Sequence, residues 1–226
     1  LVNSPFMSGR ELRIARDIAT RRNLVFTETM VNQLQAEDVT ANDLQRCYHC
    51  KMLIFRHLLG QALPGEILCE GSVTDDNADF RPGKRAIEEL GIASPLQAAG
   101  FSKALITEVL QSINAGEIVR PGQSCLATRI ATGNRISGAK LRQIELGEEI
   151  LQQAGLSFCR LRHHGKLARI ESAEGEQHLA LDIAKMHAGQ LASLGFDQIC
   201  IDAGGYQRGS MNKPGQQKEY DEIEQQ

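Results

Sequence analysis

What this sequence lacks narrows its function first. No stretch approaches the ~20 apolar residues that span a bilayer, so no membrane-crossing helix is expected. The opening residues carry no signal-peptide pattern. An excess of positive charge is also missing: 25 Lys and Arg stand against 28 Asp and Glu, for a net charge of −3. No global field therefore draws in nucleic acid, and any bound anion must be held by local arginines. Disulfide staples are not needed in a chain long enough to bury a real core. The six cysteines, Cys47, Cys50, Cys69, Cys125, Cys159 and Cys200, are irregularly spaced. A reducing, cytoplasmic setting is expected. Finally, "RCYHCK" at residues 46 to 51 holds a C-x-x-C without a second one anywhere in the chain. A closed structural zinc site is four-coordinate, so this pair alone does not make one.

What is present is ordinary in bulk. Hydrophobic residues make up 42% and charged residues 23%, the composition of a globular chain with one large or two small domains. "LVNSPFMSGRELRIA" opens with strand-exit residues and passes straight into a helix, as if the chain were entered partway through a domain. Ser8 and Glu11 form a capping-box pattern at the head of a helix over 8–22, and "LVFTETM" follows as a strand. The C-x-x-C begins another helix, and "EILCEGSV" reads as a short strand feeding the polar loop "TDDNADFRPGKR". Ser102 caps a further helix. Helices alternating with strands indicate an α/β parallel sheet, with ligands at the carboxyl ends of its strands. The later half changes pattern. A helix from Ser137 to Gln153, strands "LSFCRLRHHG" and "KLARIES" around Gly165, a helix ending at Gly195 and the strand "FDQICIDA" make an α-β-β-α-β unit. Expected boundaries are 1–135, 136–212 as a smaller α+β domain, and a polar tail at 213–226.

Several residues have the chemistry of a site. Arg160 and Arg162 are two apart on a strand and so share a face; paired guanidiniums suit a phosphate, though solvated arginines or partners of Glu171 have the same spacing. Glu148 and Glu171 are candidates for a divalent ion beside that phosphate. Cys125, in "GQSCLATRI" with Arg129 close behind, lies in a polar loop that favours thiolate. It is the best partner for Cys47 and Cys50, which stand at a helix start. Three thiolates suit a [4Fe-4S] cluster with one open iron; the rival reading is a redox pair with Cys125 acting alone. Asp75, Asp76 and Asp79 precede Arg81, Lys84 and Arg85, a mixture suited to Mg2+ and polyphosphate or to a solvated loop. Cys69, Cys159 and Cys200 lie in apolar runs and read as small buried hydrophobes. His163 and His164 read as turn residues.

"NDLQRCYHCKMLIF", "EGSVTDDNADFRPGKRAIEELGIASPL", "SCLATRI", "RLRHHGKLARIE" and "GGYQRGSMN" occur in that order. Together they resemble the LarE-type ATP-dependent sulfur transferases. The resemblance implies a PP-loop ATP pyrophosphatase fold followed by a smaller substrate domain, often assembled as a homo-oligomeric hexamer. It implies that ATP, with Mg2+, adenylates a carboxylate of a pyridinium biscarboxylate mononucleotide, and that sulfur then displaces AMP on the route to a nickel-pincer nucleotide. By the same resemblance Cys47, Cys50 and Cys125 hold a [4Fe-4S] cluster charged by sulfide or another sulfur donor. Another branch sacrifices the sulfur of the cysteine matching Cys125. Arg160 and Arg162, with Thr128 and Arg129, match the grip on the substrate phosphate; Glu148 and Glu171 match divalent-ion positions; Asp75, Asp76 and Arg81 fall on the nucleotide side. The family's S-G-G-x-D-S nucleotide loop, on its first strand and helix, is expected ahead of residue 1. "GSVTDD" departs from the family's G-T-N-x-D-D at Ser72 and Val73. Two further readings stand: a tRNA-thiolating PP-loop enzyme, against which the net charge argues, and a non-catalytic Fe–S or nucleotide-binding subunit.

Overall fold

A computed structural model describes residues 1–78, 82–119 and 123–207. In chain order its elements are β1 (Val2–Asn3), α1 (Gly9–Arg21), β2 (Thr29–Met30), α2 (Glu37–Thr40), α3 (Arg46–Leu59), α4 (Pro82–Glu89), α5 (Pro95–Ala98), α6 (Lys103–Ser112), α7 (Gly138–Gln153), β3 (Cys159–His164), β4 (Leu167–Ser172), α8 (Gln177–Met186), α9 (Ala188–Ser193) and β5 (Gln198–Ile201). The class is α/β. The chain divides into two compact units: Leu1–Ser4, Gly9–Val39 and Gln45–Ser124 form the first, and Pro5–Ser8, Thr40–Leu44 and everything from Cys125 form the second.

In the first unit β1 runs parallel to β2, with Val2 opposite Thr29 and Asn3 opposite Met30. Helices α3 and α4 pack closely, and the crossing leaves little room for a side chain at Gly83. A Cβ on Gly83 would meet Lys51 Cδ at 2.8 Å and the Cys47 carbonyl at 3.2 Å. Ser102 caps α6 as its spacing indicates, its hydroxyl accepting from Leu105 N at 3.1 Å. The expected strands are far shorter than their apolar composition suggests. Only Thr29–Met30 of "LVFTETM" pairs, and "EILCEGSV" makes a single parallel bridge, Cys69 to Ala93. Their other apolar side chains gain no cover: Val25 is 101% and Ile67 75% exposed. A strand holds only where a neighbour takes both its ladder bonds and its side chains. Cys69 is correspondingly exposed rather than buried.

The second unit follows the sequence pattern closely. Ser137 accepts from Lys140 N at 3.3 Å and starts α7. β3 lies antiparallel to β4, with Arg160 opposite Glu171 and Arg162 opposite Arg169. β4 lies parallel to β5, giving the order β3-β4-β5. Helix α7 packs on β3 and α8 on β4 and β5. Leu151, Leu161, Ile170, Leu191 and Phe196 are essentially fully buried there, each stabilising the fold by about 1.5–3 kcal/mol relative to exposure. The helix expected to run to Gly195 is broken at His187, whose backbone (φ −104°, ψ 15°) ends α8 and begins α9. His163 and His164 are not turn residues. They are the last two positions of β3, both buried, and His163 faces Gln143 Oε1 at 3.0 Å. Burial first, then Lys140 for His163 and Arg169 for His164, pushes each imidazole down to about 4. Cys159 is sealed in this core, and burial, reinforced by Glu148, pushes its thiol up to about 12.

Candidate functional site

Strand β3 builds the centre of the second unit's site. Its period-2 alternation turns Phe158, Arg160 and Arg162 to one side. Arg162 donates from Nε and Nη2 to Glu171 Oε2 at 2.8 and 2.6 Å, and from Nη1 to the Thr128 carbonyl at 3.0 Å. The other oxygen of Glu171 accepts from Arg169 at 3.1 Å, and Arg169 also reaches Asp202 at 2.9 Å. Among the described residues Arg160 has no such carboxylate. It is 1% exposed, and Nη1 donates to the Cys159 carbonyl at 3.1 Å. Its Nε and Nη2 find no acceptor among the described residues. The guanidinium lies 4.2 Å from the Phe158 ring centre and 5.8 Å from that of Tyr206, and the two rings meet edge to face at 4.9 Å. Burial, then the like charge of Arg129, pushes the Arg160 pKa down to about 10. It therefore stays protonated at neutral pH. A buried cation with two unmet N–H groups is costly on its own and well suited to an incoming anion.

Glu148, from α7, answers Arg129. Its two oxygens accept from Arg129 Nε and Nη2 at 2.9 and 3.1 Å, and Oε1 also accepts from Leu161 N at 3.0 Å. The remaining Arg129 nitrogen donates to the Cys125 carbonyl at 2.9 Å and to Thr128 Oγ1 at 3.0 Å. Cys125 itself is exposed. It precedes the 3-10 turn Leu126–Arg129, which is anchored by buried Leu126 and Ala127 and by the Leu126 N–H on the Phe6 carbonyl at 2.8 Å. Arg160, Arg162, Thr128, Arg129, Glu148, Glu171 and Cys125 thus lie in one unit. Both glutamates expected at a divalent ion stand in arginine pairs here.

Cys47 and Cys50 belong to the first unit, at the start of α3, three apart on one helical face. Neither is in a disulfide; Cys47 is exposed and Cys50 half-buried. Arg46 Nη2 lies 3.6 Å from the Cys47 sulfur and Gln33 Nε2 lies 4.0 Å from that of Cys50. Within either unit, the described residues contain no ready-made group of three His, Cys, Asp or Glu able to hold a metal ion. Asp75 accepts from Lys103 N at 2.9 Å and Asp76 from Val73 N at 3.2 Å. Asp76 shapes the segment over 73–78, and Asp75 ties that segment to the start of α6. Arg81, like the "GSMN" end of the last motif, lies outside the described residues. Beside this loop a cavity of about 130 Å³ is lined by Lys51, Ser72, Asp76, Lys84, Ser94 and Gln97 among others. At its edge burial raises the Glu70 pKa, but hydrogen bonds from Ser94 (2.5 Å) and Ser72 (2.8 Å) outweigh it and hold Glu70 below the usual range.

No family model matches the chain. Whole-chain relatives do. An uncharacterised protein of Synechocystis sp. is 31% identical over 214 residues, covering 93% of this chain and 80% of that protein. The pyridinium-3,5-bisthiocarboxylic acid mononucleotide synthase of Lactiplantibacillus plantarum is 26% identical over 214 residues, covering 94% of this chain and 78% of the synthase. An uncharacterised Methanocaldococcus jannaschii protein is 28% identical over 203 residues. The chain belongs to one family with the Synechocystis protein, and its likeness to the synthase supports the LarE-type resemblance along nearly its whole length. Within that family frame, the aromatic floor under Arg160 is what the sequence reading missed. Phe158 was within reach, since it continues the 158–160–162 alternation. Tyr206 follows Gly204 and Gly205 with no periodic signal to mark it.

Proposed function

We propose that this chain transfers sulfur to an AMP-activated carboxylate of a pyridinium mononucleotide, in the biosynthesis of a nickel-pincer nucleotide cofactor. The observation that carries the reading is Arg160: a buried guanidinium over the Phe158 ring, with Nε and Nη2 unanswered among the described residues. A nucleotide phosphate satisfies both and neutralises the charge. Arg162 and Thr128 flank it. The pyridinium ring is a cation, and the faces of Phe158 and Tyr206 favour it.

The reaction has two halves. A carboxylate is a poor electrophile. Its oxygen attacks the α-phosphorus of ATP and expels pyrophosphate, which gives a mixed anhydride. A sulfur nucleophile then attacks the carbonyl carbon, the C–O bond to AMP breaks, and a thiocarboxylate remains. Asp75, Asp76 and Arg81 are assigned to the nucleotide and Mg2+ side. Three uncross-linked cysteines, Cys47, Cys50 and Cys125, fit the thiolate ligation of a [4Fe-4S] cluster in kind, and N–H donors near two of the sulfurs fit the hydrogen bonding that tunes such clusters. When bound, such a cluster supplies a sulfide sulfur; the chain's own part is to hold it and to exclude water from the acyl adenylate.

The test uses the full-length protein, reconstituted anaerobically. It should take up iron and sulfide, exchange pyrophosphate into ATP in the presence of the mononucleotide, and convert its carboxylate to thiocarboxylate. Arg160→Gln should weaken mononucleotide binding about 10-fold or more, as loss of a charge-assisted hydrogen bond of roughly 1.5–3 kcal/mol does. Because Cys125 is exposed and free, a second route is open in which its own sulfur is given up. A Cys47→Ala/Cys50→Ala variant that still makes one thiocarboxylate per chain, with Cys125 lost as dehydroalanine, selects that route. Absence of exchange in the wild-type protein would leave a non-catalytic subunit, and exchange dependent on tRNA would point to a thiolating enzyme of another substrate class.

A further inference from the structure

The Cys125 loop is held by its backbone, through one carboxylate. Glu148 Oε1 accepts from both Arg129 Nε (2.9 Å) and Leu161 N (3.0 Å). Leu161 lies between Arg160 and Arg162 on β3. Arg129 passes the constraint on: its Nη1 donates to the Cys125 carbonyl at 2.9 Å and to Thr128 Oγ1 at 3.0 Å, and that hydroxyl itself donates to the Cys125 carbonyl at 2.8 Å. From the other side Arg162 donates to the Thr128 carbonyl at 3.0 Å while paired to Glu171. Both arginines are buried, Arg129 at 2% and Arg162 at 4% exposure, so their hydrogen bonds work in a medium of low dielectric. The Cys125 side chain remains exposed. Its backbone is fixed while its sulfur faces outward.

We infer that Arg129 is a positioning residue for Cys125 rather than a phosphate ligand, and that Glu148 sets the distance between the sulfur-bearing loop and the anion-binding arginines of β3. This rests on the sulfur-transfer reading above. The geometry separates the arginines by task. Arg160 keeps two donors for an anion, whereas the Nε and Nη2 of Arg129 are spent on Glu148 and its Nη1 on the loop. A phosphate arriving at Arg160 thereby meets a sulfur whose backbone is tied to the same strand. Nucleophilic attack on an acyl carbon depends steeply on such placement; a displacement of 1 Å costs about 100-fold in rate. Lysine retains the charge of Arg129 but has one nitrogen, which does not reach both Glu148 oxygens and the Cys125 carbonyl together.

The test compares wild type, Arg129→Lys and Glu148→Gln in the full-length protein. Glu148→Gln serves as the second variant because it keeps the shape and the Oε1 acceptor for Leu161 N. Single-turnover thiocarboxylate formation should fall about 10–100-fold in both, with KM for the mononucleotide and ATP–pyrophosphate exchange within about twofold of wild type. Amide hydrogen exchange should rise in the peptide over 124–130 and not in peptides from α8 and α9. Calorimetry with the mononucleotide should give an unchanged Kd for Arg129→Lys and a weakened one for Arg160→Gln. A 10-fold weaker Kd in Arg129→Lys would instead make Arg129 a ligand and overturn the inference. Unchanged exchange at 124–130 in both variants would overturn it equally, whatever the activity shows. Failure of the wild-type protein to form thiocarboxylate speaks against the proposed function alone, because the hydrogen-exchange and calorimetric comparisons do not depend on turnover.

Discussion

The two units of this chain handle their difficult side chains in opposite ways. The second unit buries charge. Arg129, Arg160, Arg162, Glu148 and Glu171 are all at or below 7% exposure, and every one but Arg160 has a carboxylate or guanidinium partner. The first unit exposes apolar surface. Leu24, Val25, Met30, Leu63 and Ile67 are each more than half exposed, while its ion pairs, such as Arg16–Glu28, lie at the surface. Buried charge is tolerated only where geometry supplies a partner for each group. The lesson is that the second unit's polar interior marks where precision is concentrated, and that among these five described side chains Arg160 alone stands without an ion-pair partner, which is why the proposed anion is assigned to it.

The comparison is most sharply broken by removing one member of the buried network. Glu171→Ala strips Arg162 of its carboxylate and leaves Arg169 with Asp202, and is expected to destabilise the protein by about 3–5 kcal/mol, read from urea unfolding followed by a reporter in the second unit. A loss under 1 kcal/mol would mean that water reaches these arginines. Next comes steric fit. A Cβ on Gly147, in α7, would collide with Leu161 Cδ1, so Gly147→Ala should cost about 1–3 kcal/mol by overpacking. An unchanged melting temperature would show that α7 has freedom to shift off β3.

The third effect is a pH dependence. His163 and His164 have folded pKa values near 4, against about 6.5 when unfolded. The unfolded chain therefore binds protons first as pH falls. Stability is full above pH 6.5 and declines toward pH 4, by at most ~1.4 kcal/mol per pH unit for each imidazole. Replacing both by Gln should flatten that slope; an equally steep profile in the double variant assigns it to other groups. The smallest effect belongs to the first unit. Glu28→Ala removes the exposed pair with Arg16 and should cost less than ~1 kcal/mol, falling further in high salt.

How much of this was legible in the sequence follows the same division. In the second unit, Ser137, the runs "LSFCRLRHHG" and "KLARIES" and the Gly165 turn placed α7, β3 and β4 in order and close to their observed positions, because local pattern and tertiary packing agree there. The α8–α9 break escaped notice: nothing around His187 resembles a helix breaker. In the first unit, apolar runs at 24–30 and 66–73 signalled strands that the structure realises only as two paired residues and one bridge, since strand formation depends on a partner that composition does not specify. The arginine pair was found from spacing alone. Its asymmetry was not, because only coordinates show that Arg162 is taken by Glu171 and Thr128 while Arg160 rests on Phe158.

One buried atom offers a practical clock. The Cys159 sulfur is enclosed, and its thiol is held near 12, so native-state alkylating reagents pass it by while they mark Cys47, Cys69 and Cys125 at the surface. Its modification rate under mild conditions therefore counts how often the three-stranded sheet comes apart, residue by residue identifiable in a digest, without any engineered probe.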